Sequence, residues 1–164
     1  MAELTVLEEK LAEVTGLAMA AKDSAKKVRQ LTRGESDDLV ETLERMAQEA
    51  AETQERCTQV ASGFSGKKSA ILTEAREVKQ KASEMMQDYL DDSADALDGF
   101  EFLTMAEAAE VGHWSVLDTL SLRAGRGEIQ GLVEWALPIQ QRHFSEVTAA
   151  SVKLAAAEDP NEPA

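Results

Sequence analysis

Residues 107–114 read EAAEVGHW, and they sit inside a run whose apolar residues recur every three and four positions. Leu103, Ala106, Leu117 and Leu120 keep that spacing on either side, which is the period of a helix with one buried face. Glu110 and His113 fall on the same stripe, where a carboxylate and an imidazole replace core side chains. The arrangement recurs once. Residues 136–144, ALPIQQRHF, place Gln140 and His143 on a second stripe formed by Ile129, Val133, Ala136, Val147, Ala150 and Leu154. The chain has two histidines, and both occupy this place in a seam. A buried polar group left without a partner costs about 1–3 kcal/mol. These four residues must therefore satisfy one another or hold something between them.

The rest of the chain predicts what surrounds the two segments. Its 164 residues are 43% hydrophobic, enough for one domain with a core. Three prolines, few aromatics and an abundance of Ala, Leu, Glu, Gln, Lys and Arg favour helix throughout. The reading is an all-α protein. Helix A is expected from about Thr5 to Leu31, with Thr5 and Glu8 as a capping box and Gly34 as the stop. Its stripe is Leu4, Leu7, Leu11, Val14, Ala18, Ala21, Ala25 and Val28. Helix B follows from Ser36 or Asp37, with Leu39, Leu43, Met46, Ala50, Thr53, Cys57, Val60 and Phe64 on one face, until SGFSGKK breaks it. A third helical segment covers about residues 69–90 and buries Ile71, Ala75, Val78, Ala82, Met85 and Tyr89.

Helix C is expected from Phe100 or Thr104 to Arg123, with Thr104 and Glu107 as a second capping box. After the turn RAGRG, helix D runs from about Glu128 to Ala156. Pro138 lies inside it and predicts a kink. Residues 1–157 form one bundle domain, and the acidic 158–164 form a flexible tail. The loop DDSADALDG has Ala96 and Phe102 where a calcium loop needs Gly and a bidentate Glu, so it reads as a solvated turn.

Hairpin A–B, a long connection carrying its own helix, and hairpin C–D make an antiparallel four-helix bundle with one long crossover. A helix rises about 1.5 Å per residue. On that rise Glu110 and Gln140 both lie about 22 Å from the C–D turn, and the two histidines flank them. Two imidazoles and a carboxylate at one level suit zinc, iron or manganese. The same groups could instead form a hydrogen-bond network that holds helix register without any ion.

Helix order, crossover and these pairs together resemble the ferritin-like superfamily. Glu110-Val-Gly-His113 matches its Glu-x-x-His pair, and Gln140-Gln-Arg-His143 matches with Gln in place of Glu. The resemblance implies ferritin-like topology and a metal site of Glu110, His113, His143 and Gln140. It also implies one inward carboxylate from each of helices A and B. Glu13 and Glu49, beside the stripes, are the candidates. It implies a redox or stress-protective role involving iron and oxygen or peroxide. No glycine-rich phosphate loop is present, and no organic cofactor is expected. Gln140 is neutral and a poor bridging ligand, so a structural or interaction bundle with an inert network is the competing function.

Net charge is −14, which disfavours nucleic acid and anionic membrane as partners. No apolar run reaches membrane-span length, and the N-terminus lacks the pattern of a signal peptide. The single cysteine, Cys57, reads as an inert core thiol and points to a cytoplasmic setting. The crossover helix has an apolar face of its own, which suggests a homo-oligomer, most simply a dimer. Trp114 and Trp135 read as packing residues.

Overall fold

A computed structural model describes residues 2–163. Among the described residues there are five helices and no strand: α1 Val6–Leu31, α2 Asp37–Ser62, α3 Lys68–Tyr89, α4 Ala96–Ala124 and α5 Gly127–Ala155. Turns follow α5. The N-terminus of α1 carries the expected capping box, with Thr5 Oγ1 accepting from the Glu8 amide and Glu8 accepting from the Thr5 amide. Ser36 is the N-cap of α2, without a side-chain hydrogen bond.

The start of α4 differs from expectation. The helix begins inside the acidic loop, at Ala96, because Asp95 and Asp98 cap each other reciprocally. The expected box at Thr104 does not form. Thr104 is already helical, and its hydroxyl donates to the Phe100 carbonyl. Gly125 ends α4 in the left-handed conformation at φ 64°, which a residue without a Cβ adopts freely. α5 runs unbroken through Pro138. The proline has no N–H to donate to the Glu134 carbonyl, which loses that helical hydrogen bond.

Four helices contact one another in a closed ring: α1 with α2, α2 with α5, α5 with α4, and α4 with α1. α3 lies outside the ring, against α1 and more lightly against α2. α1 thus has three neighbours, and its composition explains how. Ala12, Thr15, Gly16, Ala18, Ala20, Ser24 and Ala25 are all buried and small. A Cβ on Gly16 would collide with the Ala75 carbonyl and Val78, so this glycine sets the close crossing of α1 and α3.

Two apolar clusters fill the interior. One gathers Leu11, Val14, Cys57, Ile71, Trp114, Leu117, Ile129 and Val133. The other gathers Val28, Leu39, Leu43, Met46, Phe100, Leu103 and Val147. A layer of buried polar residues lies between them along the chain: Glu107 and Glu110 on α4, and Gln140 and His143 on α5. The buried stripe of α5 is the expected one from Ile129 to Ala150, with Leu132 added and Leu154 only half-buried. That of α4 is shifted. It runs Phe100, Leu103, Glu107, Glu110, Trp114, Leu117 and Ser121. Leu103, Glu110 and Leu117 are shared with the expected stripe. Ala106, His113 and Leu120 give way to Glu107, Trp114 and Ser121. No helix among the described residues is long and apolar enough to cross a membrane.

Candidate functional site

The interior site is built by α4 and α5, with α2 at its edge. Glu107, Glu110, Gln140 and His143 are each 2% exposed or less. Gln140 stands between the carboxylates. With its amide nitrogen turned toward α4 it donates to Glu107 Oε2 at 3.0 Å and to Glu110 Oε2 at 3.2 Å. This orientation puts its donor against acceptors, as a buried amide requires. Glu110 and Gln140 therefore face each other at one level, as the depth count from the α4–α5 turn expects.

His143 lies beside this pair without completing it. Its Nδ1 is 3.6 Å from Glu107 Oε2, and its Nε2 is 3.4 Å from Glu49 Oε2. The first is ion-pair range and too long for a hydrogen bond. Nε2 is buried and has no hydrogen-bond partner among the described residues. Glu49, on the edge of the core, is also paired with Arg142 and lies 3.3 Å from Arg45 Nε. The imidazole thus sits between two carboxylates and is hydrogen-bonded to neither.

Burial is the main reason that the Glu110 carboxyl is held well above the usual glutamate range, and the negative charge of Glu107 adds to it. The Trp114 indole N–H lies close enough to oppose this shift, although it makes no hydrogen bond. Cys57 is in the same neighbourhood. Burial pushes its thiol up to about 12; the Thr15 side chain opposes the shift and the Glu110 charge adds to it. A thiol that stays protonated is a poor nucleophile, which agrees with an inert core cysteine.

His113 does not join the interior site. Its side chain is 39% exposed, and its Nδ1 lies 3.0 Å from Glu13 Oε2. Lys10 Nζ is 3.3 Å from the same nitrogen and is paired with Glu13 as well. The expectation that both rings meet inside the bundle is thus corrected for His113. Each candidate carboxylate found a histidine, Glu13 with His113 and Glu49 with His143, but the two pairs differ. One lies at the surface beside a lysine. The other reaches the interior carboxylates.

Sequence reasoning missed Glu107 because it phased α4 on His113. The available signal was aromatic: Phe100 and Trp114 are seven plus seven residues apart through Glu107, and aromatic side chains gain most from burial. It also missed Lys10, Arg45 and Arg142, which neutralise the outer carboxylates. Among the described residues, no three His, Cys, Asp or Glu side chains converge as ligands of one ion. No known family, characterised protein or solved structure matches the chain.

Proposed function

We propose that this chain is a ferritin-like helical-bundle protein that takes up one transition-metal ion, iron, zinc or manganese, at Glu107, Glu110, His143 and Glu49. The observation that carries the reading is the buried, unpartnered Nε2 of His143, on a ring set between the carboxylates of Glu49 and Glu107. Buried acidity of this kind is stabilised by a cation, and the donors suit a borderline metal. Uptake requires Glu49 and Glu107 to turn from Arg142 and Gln140 toward the ring. Gln140 then holds Glu110 in place. A bound ion supplies Lewis acidity, or electron transfer in the case of iron. The ring of α1, α2, α5 and α4, with α3 inserted in the crossover, supports the ferritin-like topology. A redox or stress-protective role follows from that likeness; the lone buried Cys57 favours a cytoplasmic setting, and the exposed apolar end of α3 favours a dimer.

A second reading rests on a different observation. Gln140 bridges Glu107 and Glu110 directly, and the burial that raises the Glu110 carboxyl eases the repulsion between the two, which favours that arrangement without an ion. The bundle would then be a structural or interaction module with a polar layer fixing helix register.

Metal analysis of untagged protein, with thermal melting in Fe(II), Zn(II) and Mn(II), separates the two. Metal uptake predicts about one ion per chain and stabilisation of about 3 kcal/mol when free metal is a hundredfold above Kd. It predicts loss of both in His143→Asn and retention of both in His113→Asn. No metal after reconstitution, with melting indifferent to metal and chelator, selects the polar layer.

A further inference from the structure

α3 is covered along its first half and opens to solvent toward its C-terminus. Its fully buried residues, Ala70, Ile71 and Ala75, belong to its first half. Val78 and Ala82 are half-buried, and the same stripe then emerges at Met85, 67% exposed, and Tyr89, 45% exposed. The two helices both rest on α1 and share little contact of their own among the described residues. Between them lies a pocket of about 330 Å³. That is the lower end of the range for small-ligand sites.

The pocket is long, narrow and apolar. Small side chains leave its room, notably Ala21 on the floor and Ala82 and Ala109 on the walls. Along α4 it extends from Phe102 to His113, about 16 Å of helix rise. The ring of Tyr89, centred 5.6 Å from that of Phe102, stands at one end. Glu110 and His113 stand at the other. Ser24 is the remaining polar lining residue. The Glu110 end is acidic. Glu107 backs it through the shared Gln140 amide, and Glu13 holds the His113 ring from behind. The nearby cation, Lys10, is already engaged by Glu13 and His113.

We propose that this pocket binds a straight-chain alkylammonium ion, its hydrocarbon lying against the alanines and its ammonium group between Glu110 and His113. An apolar slot of this length selects a chain, and burial of its methylenes supplies the affinity. The head group is chosen by charge. An ammonium donates to the Glu110 carboxylate and brings the positive charge that the Glu107–Glu110 pair lacks. A carboxylate head would be set against two glutamates. A hydroxyl would fit but leave the charge uncompensated. Nothing in this binding requires a metal ion.

The test is calorimetric titration of EDTA-treated full-length protein with decylammonium, decanol and decanoate below their micelle concentrations. Decylammonium is expected to bind at least about tenfold more tightly than decanol, in line with a charge-assisted hydrogen bond. Decanoate is expected not to bind. Ala109→Phe, on the exposed side of α4, fills the pocket and is expected to abolish binding while leaving the helical circular-dichroism signal unchanged. Glu110→Gln is expected to bring decylammonium to within about threefold of decanol, by loss of the same charge-assisted bond. Decanoate binding as tightly as the amine, uptake unaffected by Ala109→Phe, or no uptake of any of the three overturns the proposal. So does light scattering that shows a dimer dissociated by Ala109→Phe, because a second copy would then be the occupant. The titrations exclude metal, so failure of the metal site leaves their outcome untouched.

Discussion

His143 and His113 occupy the same place in their segments, three residues after a polar residue on an apolar stripe, yet they have opposite surroundings. His143 is 2% exposed and lies within 3.6 Å of Glu107 and 3.4 Å of Glu49. His113 is 39% exposed and shares Glu13 with a lysine. The difference does not lie in the histidines. α5 presents His143 to the α2 and α4 sides of the ring, whereas α4 is turned so that its neighbour Trp114 enters the core. The stripe Leu103, Glu110, Leu117 can be completed on either flank, by residues three or four positions on. The bulk of Trp114 and Phe100 completes it on the flank that carries Glu107. Spacing alone cannot distinguish these flanks, and this is where a polar residue in a seam misleads.

The largest expected effect tests that turn of α4. Trp114→Ala should cost about 3–5 kcal/mol in urea denaturation, the range for an emptied aromatic site. The adjacent His113→Ala should cost less than about 1 kcal/mol, as for an exposed ion pair. Equal costs would mean that α4 is turned the other way. Next comes the comparison of the two rings. His143→Ala should destabilise by about 2–4 kcal/mol, because it opens a cavity beside a buried carboxylate. A value near that of His113→Ala would remove the distinction between the two surroundings.

A smaller effect is in the pH dependence of the metal-free protein. Folding raises the Glu110 value above the ordinary 4.5, so the folded state binds this proton more tightly. Its contribution is complete below 4.5 and is lost as pH rises through the raised value. Glu110→Gln should therefore flatten the loss of stability on the alkaline side. Glu8 has the opposite sign. Burial raises it, but hydrogen bonds from Lys67 and Thr5 outweigh burial and lower it. Its contribution is present above 4.5 and lost as pH falls through the lowered value, so Glu8→Gln should flatten the acid limb. Denaturation midpoints across the pH range separate the two variants. The smallest effect is expected for Glu13→Gln, within about 1 kcal/mol, since its partners are half-exposed. A cost as large as that of His143→Ala would place Glu13 in the interior after all.

Much of this protein was determined locally. The number of helices, the Thr5–Glu8 box, the tight turn at RAGRG, and most of the core faces of α2 and α5 follow from caps and period, because those signals act within a few residues. The level at which Glu110 meets Gln140 follows from counting residues back from one tight turn. Other features needed the packed chain. Asp95 rather than Thr104 starts α4, because the reciprocal bonds with Asp98 form first along the sequence. Met85 and Tyr89 continue the stripe of α3 but stay exposed, since α3 lies outside the ring and is covered only along its first half. Glu107 is a core carboxylate and His113 is not, because the rotation of a helix about its axis depends on what its neighbours leave open. Those neighbours here are an α1 of small residues on one side and α5 on the other, and no window of local sequence contains both.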